Sequence, residues 1–324
     1  MHKGTPKIIF VFLHPKNIRE STKLLTLLLP VSMPDQTPKA DTKVWTALEL
    51  RRWGEGYFAE KQIDSPRLTM ELMLCHILRY SRLELYLHYD KPLTKAELSA
   101  LKAMIARRAK REPLQYILGE TEFYGLPFAV DSSVLIPRPE TEFLVEAALE
   151  YLVQATQPLS VLDIGTGSGC IALTIAKKSP ESRVVAMDIS EAALALAAKN
   201  QSALGVENCE LVKRDIFREI TVRKPFDVIV SNPPYISTEG MAELEPELTQ
   251  HEPHIALSDG GDGLRFYRRF AEIFGEVLAP GGVFFVEIGY GQAAEILALF
   301  TDVYECSLRN DLAGIPRILI GRRR

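Results

Sequence analysis

The chain has 324 residues, enough for about two domains and a sizeable core. Hydrophobic residues make up 47% and charged residues 25%, the usage of an ordinary folded protein rather than a disordered or collagen-like one. A net charge of −4 lacks the basic excess of a nucleic-acid coat, and the four cysteines, with no C-x-x-C pair, suggest neither a disulfide framework nor a zinc ribbon.

Residues 1 to 41 read as an extension. Pro6, Pro15, Pro30, Pro34 and Pro38 interrupt two apolar runs, Ile8 to Leu13 and Leu24 to Leu29, which are too short to span a bilayer. Pro15, Lys16, Arg19 and Lys23 break any export signal, so a cytoplasmic protein is expected. Met33, just before orderly patterning begins, is a candidate translation start.

Residues 42–112 read as a small all-helical domain. Leu68, Leu72, Cys75 and Leu78 recur at helical spacing; Ser65 before Pro66, and Thr94 before Lys95, are N-cap candidates. The run Arg107-Arg108-Ala109-Lys110-Arg111 reads as a solvated helix end, with an acidic or RNA partner as the lesser reading. Residues 113–134 change period and predict a β-hairpin linker, with two short strands between Glu122 and Val130. From 135 to the end strands and helices alternate, the pattern of a parallel sheet wrapped by helices. The strands are placed at Val161 to Ile164, Arg183 to Asp188, Glu210 to Arg214, Phe226 to Ser231 and Val283 to Ile288, with Val303 to Leu308 and Arg317 to Ile320 completing seven.

Val161 to Ile164 runs into Gly165-Thr166-Gly167-Ser168-Gly169 and then a helix. Glycines are needed where backbone must turn sharply and approach a ligand. The G-x-G-x-G spacing is tighter than the dinucleotide fingerprint and lacks the Walker Lys-Ser/Thr, and it is similar to the S-adenosylmethionine loop of class I methyltransferases. Asp188, closing the next strand, is placed to accept ribose hydroxyls. Asp215 to Phe217 borders the adenine side, where Ile216 offers apolar contact without an aromatic stack.

Phe226 to Ser231 ends in Asn232-Pro233-Pro234-Tyr235. A planar amide or amino nitrogen is a poor nucleophile because its lone pair is delocalised. The Asn232 side-chain oxygen and the Pro233 carbonyl can each accept one N–H of such a group, holding it toward a methyl donor and stabilising charge that builds on nitrogen. Pro233-Pro234 makes that carbonyl rigid, and the Tyr235 ring can stack on the flat acceptor. Glutamine amides and adenine amino groups both satisfy this description. His251-Glu252-Pro253-His254 has the wrong spacing for a zinc helix and reads as loop; Ser258 to Gly263 lacks the ligands of a calcium loop and reads as a turn into a helix over Leu264 to Leu278.

Pro113 to Gly119, Phe123 to Leu126, Val134-Leu135-Ile136-Pro137-Arg138-Pro139-Glu140-Thr141-Glu142, the Gly165 to Gly169 loop, Asn232 to Tyr235 and Asp259 to Leu264 together resemble the release factor glutamine methyltransferases. The resemblance implies a Rossmann-like class I methyltransferase sheet of seven strands behind a helical domain that docks the substrate. It implies S-adenosyl-L-methionine as methyl donor, S-adenosyl-L-homocysteine as product, and no metal. Its substrate would be the glutamine of the Gly-Gly-Gln loop in class I peptide chain release factors, with no nucleic acid or membrane required and the enzyme a monomer. Cofactor residues are then Gly165, Thr166, Gly167, Ser168, Gly169, Asp188, Ile216 and Asn232; Asn232, Pro233, Pro234 and Tyr235 hold the acceptor, with Asn232, Pro233 and Tyr235 catalytic. Pro139 to Glu142 favours this family over the ribosomal-protein glutamine methyltransferase that shares Asn-Pro-Pro-Tyr, and a nucleic-acid adenine methyltransferase is the remaining alternative.

Overall fold

The computed structural model describes residues 43–218 and 222–323, so the extension and Met33 lie outside the described residues. The elements from Val44 onward belong to one unit, Val44–Arg324.

Four helices open it: α1 (Ala47–Glu60), α2 (Pro66–Leu78), α3 (Arg82–Leu87) and α4 (Lys95–Arg108). Thr46, Ser81 and Thr94 each close a capping box with the glutamate three residues on, satisfying amides that a helix start leaves unpaired. Ser65 does not cap. Its backbone is left-handed, at φ 47°, because Pro66 keeps the preceding residue out of the right-handed helical region, and its side chain makes no capping bond. Leu50, Phe58, Met70, Leu74, Leu101 and Ile105 fill the space between these helices. The basic run at the end of α4 is solvated at Arg107 and Lys110, as expected, but not at Arg108. Arg107 holds Glu112 at 2.5 and 2.8 Å, Arg111 donates to the Gln62 carbonyl, and Arg108, 6% exposed, pairs with Glu247 far along the chain.

The linker, read only as a hairpin, first forms a short helix, α5 (Leu114–Leu118), ended by left-handed Gly119. A hairpin comes next, β1 (Glu120–Phe123) and β2 (Leu126–Ala129), turning at Tyr124 and Gly125, both with positive φ as a two-residue hairpin turn requires. Its Phe123 and Phe128 enter the core of the next part.

That part alternates α6 (Glu142–Val153), β3 (Ser160–Ile164), α7 (Cys170–Lys178), β4 (Arg183–Asp188), α8 (Glu191–Leu204), β5 (Cys209–Lys213) and β6 (Phe226–Ser231). After α9 (Pro246–His251) and α10 (His254–Leu257) come α11 (Arg265–Val277), β7 (Leu278–Glu287), α12 (Ala293–Phe300), β8 (Tyr304–Asn310) and β9 (Pro316–Arg323). The seven strands order as β5-β4-β3-β6-β7-β9-β8; the first five run parallel and β9 inserts antiparallel between β7 and β8. Strands buried on both faces need apolar residues throughout, as Val228, Ile229 and Val230 illustrate, all fully buried. One face packs on α6 and α7, the other on α11 and α12. The chain reverses direction across the sheet between β3 and β6, and a crevice opens beyond the carboxyl ends of strands at such a switch. Among the described residues no helix is long and apolar enough to cross a membrane.

Candidate active site

The loop after β3 turns on Gly165, Gly167 and Gly169, at φ 77°, 55° and 82°. Open space lies where a Cβ of Gly165 or Gly167 would be, so the backbone itself forms the floor of a cradle. Gly169 faces the other way: a Cβ there would meet Leu173 at 2.8 Å, so this glycine lets the helix α7 pack. Asp188, at the end of β4, ties the loop down, its Oδ2 accepting from the Gly167 amide and its Oδ1 from the Ser190 amide, each at 2.9 Å. Asn200 of α8 braces the loop from behind, donating to the Ser168 carbonyl at 2.9 Å and to the Ala129 carbonyl of the hairpin at 3.1 Å.

Gly165, Thr166, Gly167, Asp188, Ile216 and Asn232 line a cavity of about 360 Å³; Ser168 and Gly169 lie behind its wall. The aromatic missing at Ile216 is supplied by the next residue. Phe217 lines the cavity, its ring 4.9 Å from Phe266 and 4.2 Å below the Arg265 guanidinium. The Phe217 amide is held by Asp215 at 2.9 Å.

Beside this cavity lies a second, of about 160 Å³, walled by Tyr235, Ile236, Leu248 and Leu257. Asn232, Pro233, Leu135 and Arg138 line both. Asn232 Nδ2 donates to Thr141 Oγ1 at 3.0 Å, and Thr141 donates its one hydroxyl proton to Glu287 Oε2 at 2.7 Å. Neither Asn232 Oδ1 nor the Pro233 carbonyl has a hydrogen-bond partner among the described residues. Tyr235 is fixed at both ends, its hydroxyl 3.4 Å from Glu287 Oε1 and its carbonyl accepting from Gln292 at 3.0 Å. Gly263 is required here, since a Cβ would stand 2.5 Å from the Tyr235 carbonyl. Burial pushes the Glu287 carboxyl up to about 7 and the Tyr235 hydroxyl above its ordinary range.

Sequence reasoning missed Thr141, Glu287 and Asn200 as site residues, put Asp215 to Phe217 at the adenine without reading the Phe217 ring as its aromatic, and passed over Glu252. Glu252 is 4% exposed and receives Arg138 at 2.5 Å and the Ile136 amide at 3.3 Å, so the stretch between α9 and α10 is a structural anchor and not a plain loop. The one signal for Thr141 was its place in Pro139 to Glu142. Asp259 and Asp262 cap turns, accepting from the amides of Gly261, Arg265 and Leu264.

Two family descriptions match the chain, the PrmC N-terminal domain over residues 49–119 and the Methyltransferase small domain over residues 141–262. The release factor glutamine methyltransferase of Geobacter sulfurreducens is 45% identical over 282 residues, covering 86% of this chain and 98% of that protein. That of Chlorobaculum tepidum is 43% identical, covering 81% and 93%. Among solved structures, a protein-(glutamine-N5) methyltransferase (release factor-specific) from Alicyclobacillus acidocaldarius is 34% identical with TM-score 0.38, covering 61% of this chain and 99% of that one. With identity at this level over nearly the whole length of such relatives, the chain belongs to the release factor glutamine methyltransferase family.

Proposed function

We propose that this enzyme transfers a methyl group from S-adenosyl-L-methionine to the side-chain amide nitrogen of the glutamine in the Gly-Gly-Gln loop of class I release factors. The observation that carries the reading is that Asn232 and Pro233 line both cavities, so one wall with two open acceptors separates a large compartment from a small one.

The larger cavity fits the donor. The backbone of Gly165, Thr166 and Gly167 lines it, the glycine cradle accepts close contact, and Asp188 keeps lone pairs for ribose hydroxyls beside its two backbone bonds. Phe217 and Ile216 supply flat apolar surface for a purine. When bound there, S-adenosylmethionine supplies an electrophilic methyl on a sulfonium.

The smaller, mostly apolar cavity suits a single planar side chain. Asn232 Oδ1 and the Pro233 carbonyl each take one N–H of the acceptor amide, which fixes the amide plane and aims the nitrogen lone pair at the methyl group. As the new N–C bond forms and the S–CH3 bond breaks, its electron pair staying on sulfur, positive charge grows on nitrogen, and these two oxygens are already aimed where it develops. The nitrogen sheds one proton as or after the bond forms, so no strong base is needed beforehand.

The test is incubation with methyl-labelled S-adenosylmethionine and, in parallel, a class I release factor, the same factor with its Gly-Gly-Gln glutamine changed to alanine, ribosomal proteins, and DNA or RNA. Label on the intact factor alone is expected. Label on ribosomal protein or nucleic acid, or on the alanine factor, overturns the assigned acceptor.

A further inference from the structure

An asparagine side chain has two ends of nearly the same shape and opposite hydrogen-bonding character. If Asn232 presented its NH2 rather than its oxygen to the acceptor, two donors would face each other and the acceptor amide would be expelled. Nothing in the shape of the cavity forbids the reversed rotamer; something must set the direction.

The hydrogen bonds behind Asn232 do so. Glu287 is 3% exposed and, when ionised, is an acceptor only. Thr141, 2% exposed, has a single hydroxyl proton, which goes to Glu287 Oε2 at 2.7 Å. Toward Asn232 the same oxygen can therefore only accept, and it accepts from Nδ2 at 3.0 Å. The direction of the chain is dictated from its buried end. The other Glu287 oxygen receives the Tyr235 hydroxyl, so the carboxylate also holds a second residue that lines the small cavity, and the Glu287 backbone carbonyl receives Tyr267 of α11 at 2.9 Å.

We infer that Thr141 and Glu287 are positioning residues, Glu287 polarising the chain and Thr141 passing that polarity to Asn232, so that the Asn232 oxygen faces the acceptor amide. The inference rests on the methyl-transfer reading above and deepens it, giving a physical role to the Pro139 to Glu142 segment that carries Thr141.

Protonation of Glu287 removes the polarity, because a neutral carboxyl can donate to Thr141 as well as accept from it. The groups facing Glu287 are Thr141 and Glu140 at the start of α6, Tyr235 after β6, Tyr267 on α11, Cys170 on α7 and Arg317 on β9, itself paired with Asp311 at 3.0 Å. Burial sets the carboxyl's midpoint at about 7, with Arg317 and the Thr141 bond pulling down and Glu140 pushing up. Lock and release thus fall within an accessible pH range.

The experiment uses the full chain as wild type, Thr141→Val, Thr141→Ser and Asn232→Asp, the last to assign the Asn232 side-chain amide signal by its disappearance. Methylation of the release factor is followed from pH 6 to 9, with cofactor binding by calorimetry and thermal unfolding alongside. In the cofactor-free protein the Asn232 NH2 resonances are followed by 15N NMR across the same range. Expected are a kcat for Thr141→Val about 10- to 100-fold below wild type with cofactor Kd within threefold, and recovery in Thr141→Ser. Wild-type kcat and the Asn232 resonances should share an inflection near 7 that Thr141→Val abolishes. A Thr141→Val kcat within threefold of wild type overturns the inference. So does a loss that Ser fails to restore, or an inflection that survives the substitution. Failure of the wild type to methylate the factor indicts the proposed acceptor instead, and the NMR titration still decides the lock.

Discussion

Glu252 reaches across the chain to Arg138, accepting from its guanidinium at 2.5 Å and from the Ile136 amide at 3.3 Å. One buried carboxylate thereby pins the segment between the hairpin and α6 against the loops after Asn-Pro-Pro-Tyr, and Arg138 is held where both cavities meet. Tyr116 supports the same segment from the linker, its hydroxyl donating to the Val134 carbonyl at 2.5 Å.

Substituting Glu252→Ala strands an amide and a guanidinium that were bonded to a charged group, a loss of about 1–3 kcal/mol in unfolding free energy. The larger effect falls on substrate handling. Arg138 is then free to swing across the small cavity, so KM for the release factor should rise severalfold while the cofactor Kd, set mainly on the far side by Asp188 and the glycine loop, moves less. Urea unfolding and steady-state kinetics on one preparation check both; an unchanged KM with a normal Tm removes the anchor's role.

Arg108 and Glu247 make the corresponding link between α4 and α9, and His251 on the same short helix lies 3.3 Å from the Lys110 carbonyl. The helical part is thus tied to α9, whose Leu248 walls the small cavity. Arg108→Ala, Glu247→Ala and the double substitution form a cycle, for which a coupling of about 1–3 kcal/mol in stability is expected because Arg108 is almost wholly out of water. Additive effects would show that the two side chains share a place without sharing energy.

Local pattern made much of this architecture legible, and non-local pairing hid the rest. Arg183–Asp188 and Phe226–Ser231 coincide with the strands read from alternation and apolar runs, because buried parallel strands have few other ways to be written. The insertion of β9 between β7 and β8 depends on which edge a returning strand finds, which no local pattern encodes. Gly165 to Gly169, Asp188 and Asn232 stand out because their spacing carries a backbone requirement. Thr141 and Glu287 do not: each is an ordinary residue type, 146 positions apart, and they acquire a role only when α6 is laid across the ends of β6 and β7. Within the run Arg107 to Arg111, Arg108 misleads for the opposite reason, since a basic residue looks solvated until a distant carboxylate, Glu247, is brought to it.

Asn232→Ala removes one of the two open acceptors from the wall between the cavities. Loss of a bond that strengthens as charge develops should lower kcat on the order of a hundredfold or more. The cofactor Kd should change far less, because the glycine cradle and Asp188 remain, with Asp188 still accepting from the Gly167 and Ser190 amides. Single-turnover assays with calorimetric binding separate the two; turnover near wild type would mean the amide is held by other groups.

Glu287 also makes stability and activity respond to pH in opposite directions. Its carboxyl is raised from an ordinary 4.5 to about 7, so between those values the folded chain holds a proton that the unfolded chain has released. Folding stability therefore falls as pH rises through this window, and above it the ionised group is carried as a destabilising charge in the native state. Asp163, buried beneath the glycine loop and likewise pushed up to about 7, adds a slope of the same sign. Glu287→Gln removes the Glu287 share. Relative to wild type it should be nearly neutral at pH 5 and more stable at pH 8, with a ceiling of about 3 kcal/mol from the size of the shift. Because ionised Glu287 is also the form that orients Asn232, wild-type turnover rises around the pH, about 7, at which the decline in stability comes to its end. Urea titrations at the two pH values measure the first slope and initial rates the second; a Glu287→Gln protein whose stability tracks wild type at both pH values would show that the carboxylate is solvated rather than buried, and the polarised chain would lose its fixed end.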